Sequence, residues 1–193
     1  MIDLRSKKLI LASKSPRRAE LLKGLGLDFE VRTKDVKEDF PEEMPVEKVA
    51  EYLSEKKAAA FQDDLRSDEI LLTSDTVVIV GDKVLGKPGD LEEARAMIRS
   101  LSGKEHLVIS AITFKSTHKT VSLSDTVKVS FKSLTAKEID YYVETFQPLD
   151  KAGAYGIQEW IGYIGVLKIE GSYFTVMGLP VHLVYDVLKE WEG

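Results

Sequence analysis

The 193-residue sequence predicts a mixed α/β fold, a twisted sheet flanked by helices. Three observations carry this. Short apolar runs alternate with helix-periodic segments from one end of the chain to the other. Some neighbouring strands are joined by turns too short for a helical crossover, so the sheet is mixed rather than purely parallel. No repeat, low-complexity segment or linker breaks the pattern, so residues 1–193 read as a single domain. The length suits one sizeable core or two small lobes around a cleft.

The elements follow in order. Lys8-Leu9-Ile10-Leu11-Ala12 is a short apolar run and reads as a buried strand. Ser15 caps the next helix and Pro16 takes its first position, where a missing N–H costs nothing. Leu21, Leu22 and Leu25 line that helix, and Gly24 and Gly26 end it. A second strand covers 29–33, and an acidic stretch follows over 35–43. Pro45 opens a longer helix with Val46, Val49, Ala50, Leu53 and Ala60 on one side. Residues 70–80 form a strand, which Gly81-Asp82 turns back through Lys83-Val84-Leu85. Asp90 caps a helix through Met97, Ile98 and Leu101, and Gly103 terminates it. Residues 106–114 and 120–131 are two long strands. In the second, Val121, Leu123, Val127, Val129 and Phe131 alternate with polar residues, so one face is wet. Thr135-Ala136-Lys137-Glu138 is a capping box for a helix through Phe146. A loop over 148–160 leads to a strand over 163–169. Pro180 opens the last helix, with Leu183, Val184, Val187 and Leu188 inward.

Composition excludes several classes. A hydrophobic fraction of 44% beside 31% charge suits a soluble globular protein and argues against disorder. No apolar run approaches the roughly 20 residues of a membrane helix. The polar start over residues 1–8 does not read as a leader. With no cysteine, disulfides, thiolate catalysis and cysteine-ligated metals are ruled out, and cytoplasm is the default compartment. The net charge of −5 leaves no broad basic surface for stable nucleic-acid binding. A local basic pocket for a small anionic ligand fits that balance better.

Candidate chemistry starts at Ser13-Lys14-Ser15-Pro16-Arg17-Arg18, where a strand leads through a tight loop into a helix N-terminus. Free N–H groups and the helix dipole attract anions there. Ser13, Ser15, Arg17 and Arg18 add hydroxyls and guanidiniums, and arginine grips phosphate oxygens bidentately. A capped helix with solvated arginines is the bland alternative, and the spacing leaves both open. The run is not a glycine-rich phosphate loop, and no GxxxxGK[ST] occurs elsewhere. Asp75 interrupts an apolar strand, where a carboxylate is costly unless paired, metal-bound or exposed. Glu38 lies in the acidic stretch, where a solvated side chain is the usual outcome. Lys87 precedes Pro88 after the hairpin, and Lys57 neighbours Lys56 on a helix, so only one of that pair points inward. Taken alone, Lys57 and Lys87 read as surface lysines. In Leu149-Asp150-Lys151-Ala152-Gly153-Ala154-Tyr155-Gly156-Ile157-Gln158, the glycines and alanines let a ligand approach the backbone. The amide of Gln158 suits a base edge. An ordinary connector is the alternative. The three histidines show no metal spacing, and no GxSxG elbow is present.

Collected in order, these blocks resemble the Maf family of nucleotide pyrophosphatases over nearly the whole chain. They are Ser-x-Ser-Pro-Arg-Arg at 13–18, Glu38, Lys57 before alanine, Asp-Thr-Val-Val at 75–78 and Gly-Lys-Pro at 86–88. Ser-Gly-Lys-x-His at 102–106, the 149–158 loop, Gly-Ser-Tyr at 171–173 and Gly-Leu-Pro at 178–180 complete the set. The resemblance implies a fold like that of Maf and inosine-triphosphate pyrophosphatases, with a cleft between two lobes, and a homodimer. The implied reaction is metal-dependent cleavage between the α and β phosphates of a nucleoside triphosphate. The products are a monophosphate and pyrophosphate. The 149–158 loop is similar to that of the branch acting on dTTP and UTP, with Arg18, Thr76 and Gln158 at its matching positions. A 7-methyl-GTP or other modified-nucleotide pyrophosphatase is the second enzyme reading. A nucleotide-binding inhibitor of septum formation is the non-enzymatic one. One departure is Glu159-Trp160-Ile161-Gly162, where a glycine-rich continuation is expected, placing bulk and charge beside the base site.

Charge arithmetic organises the expected roles. A triphosphate brings about four negative charges, which must be neutralised before water can attack. Arg17, Arg18, Lys57 and Lys87 supply fixed positive field. Glu38 and Asp75 offer hard oxygens for Mg²⁺ or Mn²⁺. Asp75 is also the candidate general base, and the sequence does not decide between its two tasks.

Overall fold

The computed structural model describes residues 2, 4 and 7–191. The expected leaderless polar start falls partly on residues 1, 3, 5 and 6, which lie outside the described residues. The chain forms a mixed sheet flanked by helices. Its elements begin with β1 (Lys8–Leu11), α1 (Pro16–Gly24) and β2 (Phe29–Val31). A 3-10 turn, Val46–Lys48, runs into α2 (Val49–Ala59). Then come β3 (Glu69–Val80), β4 (Lys83–Leu85), α3 (Leu91–Leu101), β5 (Glu105–Lys115) and β6 (Thr120–Phe131). The chain continues through α4 (Ala136–Phe146), a 3-10 turn at Ala152–Ala154, α5 (Trp160–Gly165) and β7 (Val166–Glu170). It ends with α6 (Tyr173–Met177) and α7 (Val181–Lys189).

The expected end signals do their work. Ser15 Oγ accepts from Arg18 N at the start of α1, and Asp90 Oδ1 accepts from Glu93 N at the start of α3. Thr135 and Glu138 close a reciprocal capping box on α4. The sheet order is β2-β1-β3-β5-β6-β7, with β4 also paired to β3. β1 runs parallel to both β2 and β3, while β3–β4 and β6–β7 are antiparallel. The β1–β3 register sets Leu11 beside Leu72, and Ala12 N continues it to Leu72 O at 2.9 Å. Residues 13 and 73–75 therefore follow at the same end of adjacent strands.

Two segments differ from expectation. The strand read over 163–169 begins only at Val166, because Trp160–Gly165 turns as a helix. Gly162 permits this: a Cβ there would sit 1.8 Å from the carbonyl oxygen of Ile157. The run Ile161, Ile164, Val166 carries no sign of that close approach. The short helix α6 was not expected at all. No helix among the described residues is long and apolar enough to cross a membrane.

The chain divides into two compact units. One comprises Met1–Asp75, Ser110–Asp125 and Gly178–Gly193, and the other Thr76–Ile109 and Thr126–Met177. In the first, Leu9, Leu11, Ile70, Leu72, Ile112 and Phe114 pack with Leu22 of α1 and Val184 and Leu188 of α7. The alternate residues Ile10 and Leu71 pack with Ala58 and Phe61. Strands buried on both faces explain why β1 and β3 read as continuous apolar runs. The second unit packs α3 and α4 through Ile98, Leu101, Ile139 and Val143 with Val127, Val129 and Phe131 of β6.

Candidate active site

In the first unit, parallel pairing delivers Ser13 and the α1 N-terminus beside the stretch of β3 that ends at Asp75. Ser13 is buried, and its Oγ accepts from Ser15 N at 3.2 Å. Arg18 reaches back from the first turn of α1. Its Nε donates to Gly178 O at 2.8 Å and its Nη1 to Ser74 O at 2.9 Å, with Ser13 Oγ at 3.5 Å. Burial lowers the Arg18 pKa from the ordinary guanidinium value. The charge of Asp75 opposes this, that of Arg17 adds to it, and that of Glu38 opposes it. Arg17 is half-buried at the second position of the same helix.

Asp75 is only 5% exposed, so its carboxylate needs a partner. Lys57 provides one: its Nζ lies 2.9 Å from Asp75 Oδ1 and 2.8 Å from Glu38 Oε1. One ammonium thus joins two carboxylates that are 37 residues apart in the chain. Of the neighbouring lysines on α2, Lys57 turns inward, as expected. Lys56 is not idle, however. It donates to the carbonyl of Asp39 at 3.0 Å and pairs with that residue's carboxylate, which Lys37 also holds at 2.8 Å. Consecutive lysines therefore bind consecutive acids. Glu38 sits in a chain segment pinned on both sides, with Lys14 on Asp35 at 2.5 Å. The sequence carried the signal, since Glu38-Asp39 and Lys56-Lys57 are matched pairs of opposite charge.

This donor set fits a hard cation. Glu38 and Asp75 offer oxygen only, and no cluster of three or more metal-binding side chains occurs among the described residues. Two carboxylates suit an ion such as Mg²⁺, which keeps waters and shares substrate phosphates instead of demanding a full protein cage.

The remaining expected site residues, Thr76, Lys87 and Gln158, belong to the second unit, which Thr76 opens directly after Asp75 along β3. Thr76 is half-buried, and Lys87 is exposed in the segment after β4. The 149–158 loop is tightly braced. Gly153 has φ +67°, donates to Gly86 O at 3.0 Å, and would drive a Cβ to 2.9 Å from Val78 Cγ2. Tyr155 Oη lies 2.8 Å from His106 Nε2 in a buried pair. Tyr142 Oη accepts from Gly156 N at 3.0 Å and donates to Glu159. Glu159 also meets Lys151 Nζ at 3.0 Å. Burial, and next Glu159, push the Tyr142 pKa up. The charge expected beside the base site is thus taken up inside the loop's own bracing, and Trp160 packs edge-on against Tyr141. Gln158 stands out: its Oε1 is buried, with no hydrogen-bond partner among the described residues.

A family profile described as Maf-like protein matches residues 8–191. The chain belongs to the Maf family. Curated relatives of this Maf protein cover nearly its full length. A "dTTP/UTP pyrophosphatase" of Flavobacterium johnsoniae is 50% identical over 96% of this chain and 95% of its own. Proteins of that name from Porphyromonas gingivalis and Bacteroides thetaiotaomicron are 47% and 48% identical, over 99% and 94% of this chain and 98% and 95% of theirs. Among solved structures, the Staphylococcus aureus Ham1 protein aligns with TM-score 0.45 and 17% identity, over 65% of this chain and 72% of that one.

Proposed function

We propose that this Maf protein is a nucleoside triphosphate pyrophosphatase that hydrolyses dTTP and UTP to the monophosphate and pyrophosphate. The observation that carries the reading is Lys57 holding Asp75 and Glu38 at 2.9 and 2.8 Å, next to a helix start with Ser13, Ser15, Arg17 and Arg18. The names of relatives at 47–50% identity support the substrate class.

The roles follow from the chemistry. The N–H groups opening α1, with Ser13, Ser15 and Arg17, hold phosphate oxygens. Arg18, anchored on the carbonyls of Ser74 and Gly178, adds a fixed positive charge. Asp75 takes the proton from a water attacking the α phosphorus, and the α–β bridging oxygen leaves with pyrophosphate. Lys57 keeps the Asp75 carboxylate oriented while the proton moves. Glu38 and Asp75 would hold Mg²⁺ or Mn²⁺, which supplies countercharge to the phosphates. In the second unit, Gln158 is proposed to read the pyrimidine edge, for which its buried, unpartnered oxygen is the support. Thr76 and Lys87 are proposed as further substrate contacts, Lys87 through its charge. Modified pyrimidine triphosphates come within the same reading.

One Maf-like domain over 1–193, a homodimer and a cytoplasmic location belong to the proposal. The single family match over 8–191 supports the first. The exposed Tyr163, Leu167 and Phe174, on and beside β7 at the sheet's edge, support the second.

The test is pyrophosphate release from dTTP, UTP and 7-methyl-GTP, with and without Mg²⁺ or Mn²⁺. Turnover of the two pyrimidine nucleotides is expected to exceed that of 7-methyl-GTP and to vanish in chelator. Asp75→Asn should lower turnover by roughly 10²–10⁴ while the protein stays folded. Near-normal turnover by folded, metal-supplied Asp75→Asn would remove Asp75 from the reaction.

A further inference from the structure

Lys57 must reach two carboxylates at once, so α2 must stand at one axial position against β3. Aliphatic burial favours a packed helix, but being non-directional it does not choose which polar groups meet. Val49, Ala50, Leu53 and Ala58 supply the apolar part of the buried face of α2, and Ser54 is its polar member. Directional bonds are needed, and the core of the first unit holds a set of them.

Ser54 stands one turn before Lys57 on α2. Thr73 stands two residues before Asp75, on the same face of β3. Both are fully buried, as is Thr113 of β5. Thr73 Oγ1 donates to Ser54 O at 2.8 Å. Ser54 Oγ donates to Thr113 Oγ1 at 2.9 Å, with Thr73 Oγ1 at 3.3 Å. Thr113 Oγ1 lies 3.1 Å from Ser122 Oγ of β6. Each hydroxyl has one proton, so in the shortest bonds Thr73 donates to the helix backbone and Ser54 to β5, while Thr113 and Ser122 share the contact toward β6. A slip of α2 along β3 breaks the first two bonds and leaves buried hydroxyls unpaired.

We infer that Ser54 and Thr73 are positioning residues, a buried hydroxyl clasp that sets the register of α2 on β3 and thereby aligns Lys57 with Asp75 and Glu38. This rests on the pyrophosphatase reading for its consequence in turnover, but not for its structural content. Neither hydroxyl touches substrate. Their effect passes through Lys57.

The test uses Thr73→Val, Ser54→Ala and the conservative Thr73→Ser, with Leu188→Ala in α7, which makes none of the clasp's bonds, as a destabilised control. Two readouts are taken: kcat and KM with dTTP, and the ammonium ¹⁵N signal of Lys57, assigned by its loss in Lys57→Gln. In Thr73→Val and Ser54→Ala, kcat is expected to fall about tenfold with KM within about twofold, and the Lys57 signal to shift. Thr73→Ser should restore both, and Leu188→Ala should change neither. If Thr73→Val does not fold, Ser54→Ala carries the same test. An unmoved Lys57 signal in a folded clasp variant overturns the inference, as does an equal fall in kcat in Leu188→Ala. If the wild-type protein does not turn over dTTP or UTP, the functional reading fails and the Lys57 signal still decides the clasp.

Discussion

Asp75 and His106 show how a buried ionisable residue is resolved in two opposite ways. Asp75 keeps a charged partner: the Lys57 ammonium sits 2.9 Å away. His106 has none. It is 2% exposed, packs edge-on against Phe131 and Tyr155, and has a buried Nδ1 without a partner. Burial pushes its pKa from 6.5 down to about 4, so the folded protein holds it neutral. The sign of the linkage follows. Between about pH 6.5 and 4 the unfolded chain binds the proton and the folded chain does not. Stability from this group is therefore complete above about pH 6.5 and lost as pH falls toward 4, by up to about 3 kcal/mol. In His106→Phe that contribution should disappear. Thermal unfolding followed from pH 7.5 to 4 should show a shallower acid-side loss for the variant than for the wild-type protein, and parallel curves would disprove the assignment.

Among the elements, the 149–158 loop depends most on one residue. Its polar bracing runs through Lys151, Tyr155 and Glu159, and a Cβ added at Gly153 would meet Val78 Cγ2 of β3 at 2.9 Å. Gly153 combines φ +67° with no room for a Cβ, so an added methyl meets both backbone strain and a clash. Gly153→Ala should cost about 1–3 kcal/mol. Because the loop carries Gln158, the ratio of dTTP to 7-methyl-GTP turnover should fall as well. Denaturant unfolding and the nucleotide panel check the two parts separately. An unchanged midpoint would mean that the loop relaxes away from Val78 without loss.

For the whole molecule, an acidic chain binds an anionic substrate by concentrating its cations. The net charge is −5, yet Arg18 feels the charge of Arg17 beside those of Asp75 and Glu38, the two carboxylates that Lys57 pairs. A ligand that binds only the folded state stabilises it by mass action. A non-hydrolysable α,β-imido analogue of dUTP, with Mg²⁺ at about 100 times its Kd, should stabilise the protein by about 2.7 kcal/mol, raising Tm by roughly 5–10 °C. Differential scanning calorimetry reads this directly. No shift with the analogue, beside a full shift with 7-methyl-GTP, would reverse the substrate assignment.

Much of this was legible in the sequence because local rules decided it. Ser15 with Pro16, Asp90 and the Thr135–Glu138 box start their helices as their chemistry dictates, and the alternation of runs set the α/β class. The ordered blocks from Ser13 to Pro180 carried the family. The Trp160–Gly165 helix was not legible, because it depends on how closely Gly162 approaches the Ile157 carbonyl. Matched charges at 38–39 and 56–57 signalled that Lys57 could meet Glu38, but not that Asp75 would join them, nor that Arg18 would anchor on Gly178, 160 residues away. Residue types and spacing determine which groups can bind a phosphate or move a proton. Which of them meet is decided by long-range strand pairing and helix packing, since an ion pair forms between positions in space and not between positions in a chain.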